Sequence, residues 1–212
     1  MFPVGGDSWG ITISTDPNID FTVWLLRRDG LRARGFDSHP DGDGSLRTAG
    51  LTEAHWLNWF EHVVRTESEG SDDLSRLAKI GRHHESRPAP TAPELFAGPD
   101  ATQRLLVELW PGFSLRYWDM RERDFDRKVR QTELSDDQEE RIVAQERRQW
   151  DDMQRYRPLP PLHVYLVEYV HPVVTVCPPA SVVVGLVDPR EEDSEDYWAL
   201  VVEGARRLNA TS

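Results

Sequence analysis

The densest group of side chains able to hold a metal or move a proton in this 212-residue chain is His83-His84-Glu85. Imidazole and carboxylate are ligand types that zinc takes, but zinc sites draw them from spaced pairs. Consecutive residues rarely converge on one ion, and no second pair at zinc-like spacing lies nearby. The triplet reads first as a solvated loop and second as a ligand or catalytic group. A further candidate is the acidic stretch that starts at His39. Counted from there, Asp41, Asp43, Gly44, Ser45 and Leu46 match the middle of an EF-hand-like calcium loop. The ends do not match: His39 stands where an Asp is wanted, and Gly50 where a bidentate Glu is wanted. An ordinary polar loop is the simpler reading. His55 and His62 lie two helical turns apart, roughly 10 Å along the axis, too far for one ion.

Nucleophile chemistry is equally sparse. The chain has no GxSxG elbow, P-loop, GxGxxG, HExxH or CxxC. Cys177 sits in VTVCPP at the end of a predicted strand, where a small buried hydrophobe is the commoner role. Carboxylates are so abundant, 37 Asp and Glu, that no pair stands out. No cofactor and no bound metal are therefore expected. A metal-assisted hydrolase or nuclease, built from His83, His84, Glu85, Asp41 and Asp43, is the alternative function.

Other residues suit contact with a partner. The chain has eight Trp. Most are expected to fill a core, but Trp and Arg are also the residues enriched as interface anchors. Trp59 falls just off the apolar stripe of its helix. Arg147, Arg148, Trp150 and Arg155 lie on a long, charged and sparsely apolar segment. These five are the candidate partner-binding residues.

Composition narrows the classes further. A net charge of −12 argues against broad attraction to phosphate backbones or anionic lipid. Only Lys79 and Lys128 of the 25 basic residues are lysine, an Arg excess of the kind GC-rich bacterial genomes produce. The single Cys177 cannot form an internal disulfide, which fits a reducing, cytoplasmic setting. The start, MFPVGGDSWG, lacks the basic and apolar parts of a signal peptide. No run of about 20 apolar residues is free of Glu, His or Pro, so no membrane span is expected.

The elements that would carry these residues follow from pattern. The run 163–187, HVYLVEYVHPVVTVCPPASVVVGLV, is cut by Pro172 and Pro178-Pro179 into three strand-length pieces. None alternates cleanly, which predicts strands covered on both faces, in the middle of a sheet. Near the start, GITIS (10–14) reads as a strand, with a turn at Asp16-Pro17-Asn18. FTVWLLRRDGLRARGF (21–36) reads as two strands about an Asp29-Gly30 hairpin turn. A helix over 51–65, capped by Thr52, buries Trp56, Leu57, Phe60, Val63 and Val64. After a polar break at 66–73, a short helix (72–82) and a Pro-Ala linker (87–93), a helix over 101–109 ends at Pro111-Gly112. Two further charged helices, about 115–132 and 136–156, predict an αα-hairpin. The last helix, to Leu208, docks on the sheet.

The fold class expected is α+β. A mainly antiparallel sheet from the N- and C-terminal strands is covered by the helices at 52–65 and 197–208. In domain terms, 1–65 and 158–212 complete one α+β domain around a mostly helical insertion, 66–157, that ends in the charged hairpin. The function expected is a protein-binding accessory, adaptor or immunity-type factor of the bacterial cytoplasm, without catalytic activity. Its partner is another protein met through the 115–157 hairpin, not a membrane; nucleic acid ranks well below.

Overall fold

The computed structural model describes residues 11–33, 36, 42–71, 90–131, 162–186 and 195–211. In chain order the elements are β1 (Ile11–Ser14), α1 (Pro17–Asp29), α2 (Ser45–Thr48), α3 (Glu53–Ser71), a 3-10 turn (Ala92–Leu95), α4 (Asp100–Gln131), β2 (Leu162–Glu168), β3 (Val173–Cys177), β4 (Ser181–Leu186) and α5 (Glu195–Thr211). The content is α+β. The chain divides into two compact units, residues 15–110 and residues 1–14 with 111–212. Among the described residues no helix is long and apolar enough to cross a membrane.

The expected hairpin over 21–36 is instead a helix, and the local chemistry explains why. Asp16 is extended and its carboxylate accepts the backbone N–H of Asn18 at 2.8 Å and Ile19 at 3.1 Å. That is N-cap chemistry, and Pro17 at the first helical position has its φ already set. Ile19, Thr22, Val23 and Leu26 then fall at helical spacing and are buried, with Phe21 and Leu25 beside them. The β-branched and aromatic content of the run suggested a strand, and tertiary burial of a helical face overrode it. Gly30 closes the helix at φ 67°, a left-handed conformation that favours glycine. The same Asp-Gly pair thus serves a helix end rather than a type I′ turn.

The 15–110 unit is packed by aromatic rings that keep their polar atoms satisfied. Trp56 and Phe60 of α3 stack at 4.9 Å, and Phe36 meets both edge-on at 6.1 and 6.0 Å. The Trp56 indole N–H donates to the Thr22 carbonyl at 2.9 Å. Thr52 caps α3 as expected, accepting the His55 N–H on its hydroxyl at 3.2 Å. α3 runs on through the stretch 66–71 that reads as a polar break. The 3-10 turn takes up the end of the expected Pro-Ala linker, with Ala92 and Pro93 buried. Asp29, fully enclosed, accepts the N–H groups of Leu46 at 2.6 Å and Arg47 at 3.1 Å at the start of α2. α4 also departs from expectation. It does not stop at Pro111 but continues to Gln131. The proline removes one helical hydrogen bond and crowds the previous turn, a cost of about 3 kcal/mol that the rest of a long helix absorbs.

The second unit holds a four-stranded sheet of order β1-β2-β4-β3. β1–β2 and β2–β4 pair parallel, and only β3–β4 pair antiparallel. The mainly antiparallel sheet is thereby corrected to a mixed one. The cause is the route of the chain. A short turn at 178–180 makes β3 and β4 a hairpin, and β4 enters between β2 and β3. β2 and β4 are buried along nearly their whole length, the apolar signature of strands covered on both faces.

One face of that sheet carries α5. Leu162, Val164, Leu166, Val174, Val182, Val184 and Leu186 form a core with Tyr197, Val201, Ala205 and Leu208. The helical residues repeat at four, four and three, a single stripe. Gly204 lies where the helix comes nearest: a Cβ there would stand 2.5 Å from Val182 Cγ1 and 3.0 Å from Val174 Cγ2. Valine is stiff at χ1 and cannot swing clear. Two effects then oppose each other in Gly204→Ala. Helix propensity favours alanine by about 1 kcal/mol, while overpacking costs about 1–3 kcal/mol. The contact should win, leaving the variant up to about 2 kcal/mol less stable in urea unfolding. A midpoint equal to or above wild type would show that the helix does not need the missing methyl.

Candidate partner-binding surface

The five residues singled out for partner contact fare differently. Trp59 is 2% exposed, so the proposed interface role is corrected. Its indole N–H donates to the Ala92 carbonyl at 2.7 Å, and its ring meets Phe21 at 6.1 Å and Phe96 at 5.6 Å, both edge-on. A helical position one step off the main stripe is still interior when a second layer covers it. Arg147, Arg148, Trp150 and Arg155 lie outside the described residues, as do His83, His84, Glu85, Asp41 and the 136–156 half of the hairpin.

Asp43, the described member of the acidic loop, has a structural role. One carboxylate oxygen accepts the Ser45 N–H at 3.0 Å and the Ser45 hydroxyl at 2.8 Å. The other faces the Arg28 guanidinium at 2.9 Å. The Ser45 N–H, before any other contact, holds its carboxyl below the usual range. Among the described residues no three His, Cys, Asp or Glu side chains gather as a metal site would need.

A surface does emerge on α4, within the stretch that follows Pro111. Phe113 and Tyr117 sit four apart and are buried, at 8% and 5% exposure. Leu115 and Trp118 sit three apart and point the other way, at 71% and 59%. The split follows from helical geometry, in which residues three or four apart share a face. The Trp118 ring meets Tyr117 edge-on at 5.3 Å, so its position is braced from the side while most of it stays in water. Arg116, between the two, is exposed and donates its Nε–H to the Gly112 carbonyl at 3.2 Å. Single exposed apolar residues are ordinary on any protein. Trp is among the residue types most enriched at interface anchors, and Trp118 shares its exposed face with Leu115. Helical spacing alone does not say whether Trp118 is covered, and its exposure is what the sequence could not supply.

The sheet assembles another group that sequence pattern does not single out. The register sets Thr12, His163, Ser181 and Cys177 opposite one another in a single row across all four strands. Imidazole, hydroxyl and thiol on one face would suggest nucleophilic chemistry. The order of strands decides against a Cys–His pair, because β4 lies between them and two strand spacings are about 9–10 Å. His163, Ser181 and Cys177 are also enclosed, at 6%, 3% and 4% exposure. The alternation of His163 and Tyr165 with Leu162, Val164 and Leu166 was the available signal, but only known pairing lines the strands up. The chain matches no protein-family model, no curated protein and no solved structure.

An enclosed thiol should react only when the sheet opens. Cys177 is expected to react with an aromatic disulfide reagent at least about a hundredfold more slowly in native protein than in urea-unfolded protein. Comparable rates in both states would place the thiol at the surface and reopen a chemical role for it.

Proposed function

We propose that this chain works by binding another protein, as an accessory, adaptor or immunity-type factor, through the 115–157 segment, of which the exposed face of α4 at Leu115 and Trp118 is the described part. The observation that carries the reading is the exposure of Leu115 and Trp118 on one face of α4 while Phe113 and Tyr117 anchor the other. Trp in such a place costs solubility unless something covers it, and a partner gains a large rigid apolar contact from it. The net charge of −12 spread over the rest of the chain disfavours acidic partners elsewhere on the surface, which narrows where the contact forms.

The test is a matched capture from cells of the source organism, using tagged wild type and the double variant Leu115→Asp, Trp118→Asp. A partner should be recovered with wild type and lost with the variant. Two anchors worth about 2 kcal/mol each would weaken binding by roughly a thousandfold. Because both side chains are exposed, the variant's melting temperature should stay near wild type. Equal recovery with both proteins, or none with wild type, would defeat the proposal.

A further inference from the structure

The sheet ends on β3, and the bonding of β4 decides which way the backbone of β3 faces. The Tyr169 N–H donates to the Leu186 carbonyl at 2.7 Å, and the His163 N–H to the Ala180 carbonyl at 2.9 Å. Even-numbered residues from 180 to 186 therefore bond toward β2. Successive residues of a strand bond to opposite sides, so Ser181, Val183 and Gly185 bond toward β3. Their partners there are Cys177, Thr175 and Val173. Val174 and Val176 are left with their N–H and C=O groups aimed away from the sheet. Arg207 of α5 marks the same direction, donating from Nη1 to the Val174 carbonyl at 3.2 Å. Among the described residues nothing bonds to the Val174 N–H or to either outward group of Val176. Val174 is 6% exposed and Val176 is half-buried, so the strand is largely enclosed. Backbone groups in such a place are nearly always paired. Open edges are commonly blunted by charged side chains, and Val173–Cys177 carries none.

We propose that the outer edge of β3 docks a second copy of this chain, β3 to β3 in antiparallel register about Thr175. The edge is its own complement. Val174 and Val176 stand one residue to either side of Thr175, so in a reversed copy each outward N–H meets an outward C=O. The Val174 carbonyl keeps Arg207 and takes the new N–H as well, because a carbonyl has two lone pairs. The side chains repeat the symmetry: PVVTVCP, residues 172–178, reads nearly the same from either end. Pro172 and Pro178 lie at equal distance from Thr175 and confine the pairing to the residues between them, since proline brings no donor to a ladder. A strand of that length with the same pattern reversed is what another copy supplies, and a two-fold contact closes after two chains. α5 adds to the pairing on one face. It packs over β3 and β4. With strands about 4.8 Å apart, the α5 helices of the two copies would run side by side about 10 Å apart, at contact distance.

Sedimentation equilibrium on the full chain from about 1 µM to about 1 mM should show the mass rise from 24.4 kDa toward twice that value. Val176→Pro deletes an outward N–H that β4 does not use and sets a ring in the path of the second strand. That variant should stay monomeric over the whole range. Thr175→Cys in a Cys177→Ala background reads the register. The two-fold axis sets residue 175 against itself as a non-hydrogen-bonded pair, with Cα atoms about 4.5 Å apart and within disulfide range. Mild oxidation should link that variant into a dimer and leave Cys177→Ala alone unlinked. The cross-link decides the question if Val176→Pro does not fold. Leu115→Asp, Trp118→Asp should dimerise as wild type does, because the β3 edge is separate from the α4 face. A wild type that stays at 24.4 kDa throughout would overturn the proposal. So would a dimer that persists in folded Val176→Pro, that fails to cross-link through Thr175→Cys, or that is lost with Leu115→Asp, Trp118→Asp.

Discussion

The placement of β4 between β2 and β3 is the constraint from which the sheet unit follows. Both edges of β4 are occupied, by β2 in parallel and β3 in antiparallel register. Both its faces are covered, and all six residues from Ser181 to Leu186 are buried. A strand with no edge and no wet face must satisfy every backbone group within the ladder and fill every side chain with apolar or paired atoms. SVVVGL does this, with Gly185 conceding space that Tyr169 and Val173 use. Once β4 is fixed, the face bearing Val182 and Val184 fixes where α5 docks. The closeness of that docking is why residue 204 has no side chain. The opposite face inherits the row of His163, Ser181 and Cys177 as a consequence of register rather than of any chemical design.

The 15–110 unit solves the same problem with different material. It has helices rather than a ladder, so its large side chains carry the satisfaction of buried polar groups. Trp56 and Trp59 each fill a core position and each donate an indole N–H to a carbonyl on another element, Thr22 and Ala92. An enclosed indole without such an acceptor would cost about 1–3 kcal/mol. Asp29 works by the same rule in reverse. Burial pushes its carboxyl up, and the N–H groups of Leu46 and Arg47 are what make an enclosed acid tolerable there. Its place at the end of α1 therefore dictates where α2 can begin.

Much of this was legible in the residues, and the failures share a physical cause. Thr52 as the cap of α3, the Trp56-Phe60-Val63-Val64 stripe and the strand-length pieces of 163–187 are local features, and local chemistry determines them. The pairing of strands is not local. Burial on both faces of β2 and β4 was visible as an unbroken apolar run, and such runs belong to parallel pairings. The hairpin at Pro178-Pro179 argued the other way, and it is correct for one ladder out of the sheet. Asp29-Gly30 was ambiguous in itself, because a hairpin turn and a helix end want the same positive-φ glycine. Asp16-Pro17 broke the tie, as an N-cap followed by a first-turn proline, thirteen residues upstream of Gly30 counting from Pro17.

The candidate surface shows the limit most sharply. Trp59 and Trp118 both stand on helices and both have apolar neighbours at helical spacing. One is at 2% exposure and the other at 59%. Periodicity reports which residues share a face, not whether anything lies against that face. For Trp59, Phe21 and Phe96 arrive from other elements and close it in. Around Trp118 the described contact is Tyr117, its own neighbour in sequence, which leaves the ring held but uncovered. The difference between the two tryptophans therefore lies in what other elements bring to them, and helical spacing does not encode that.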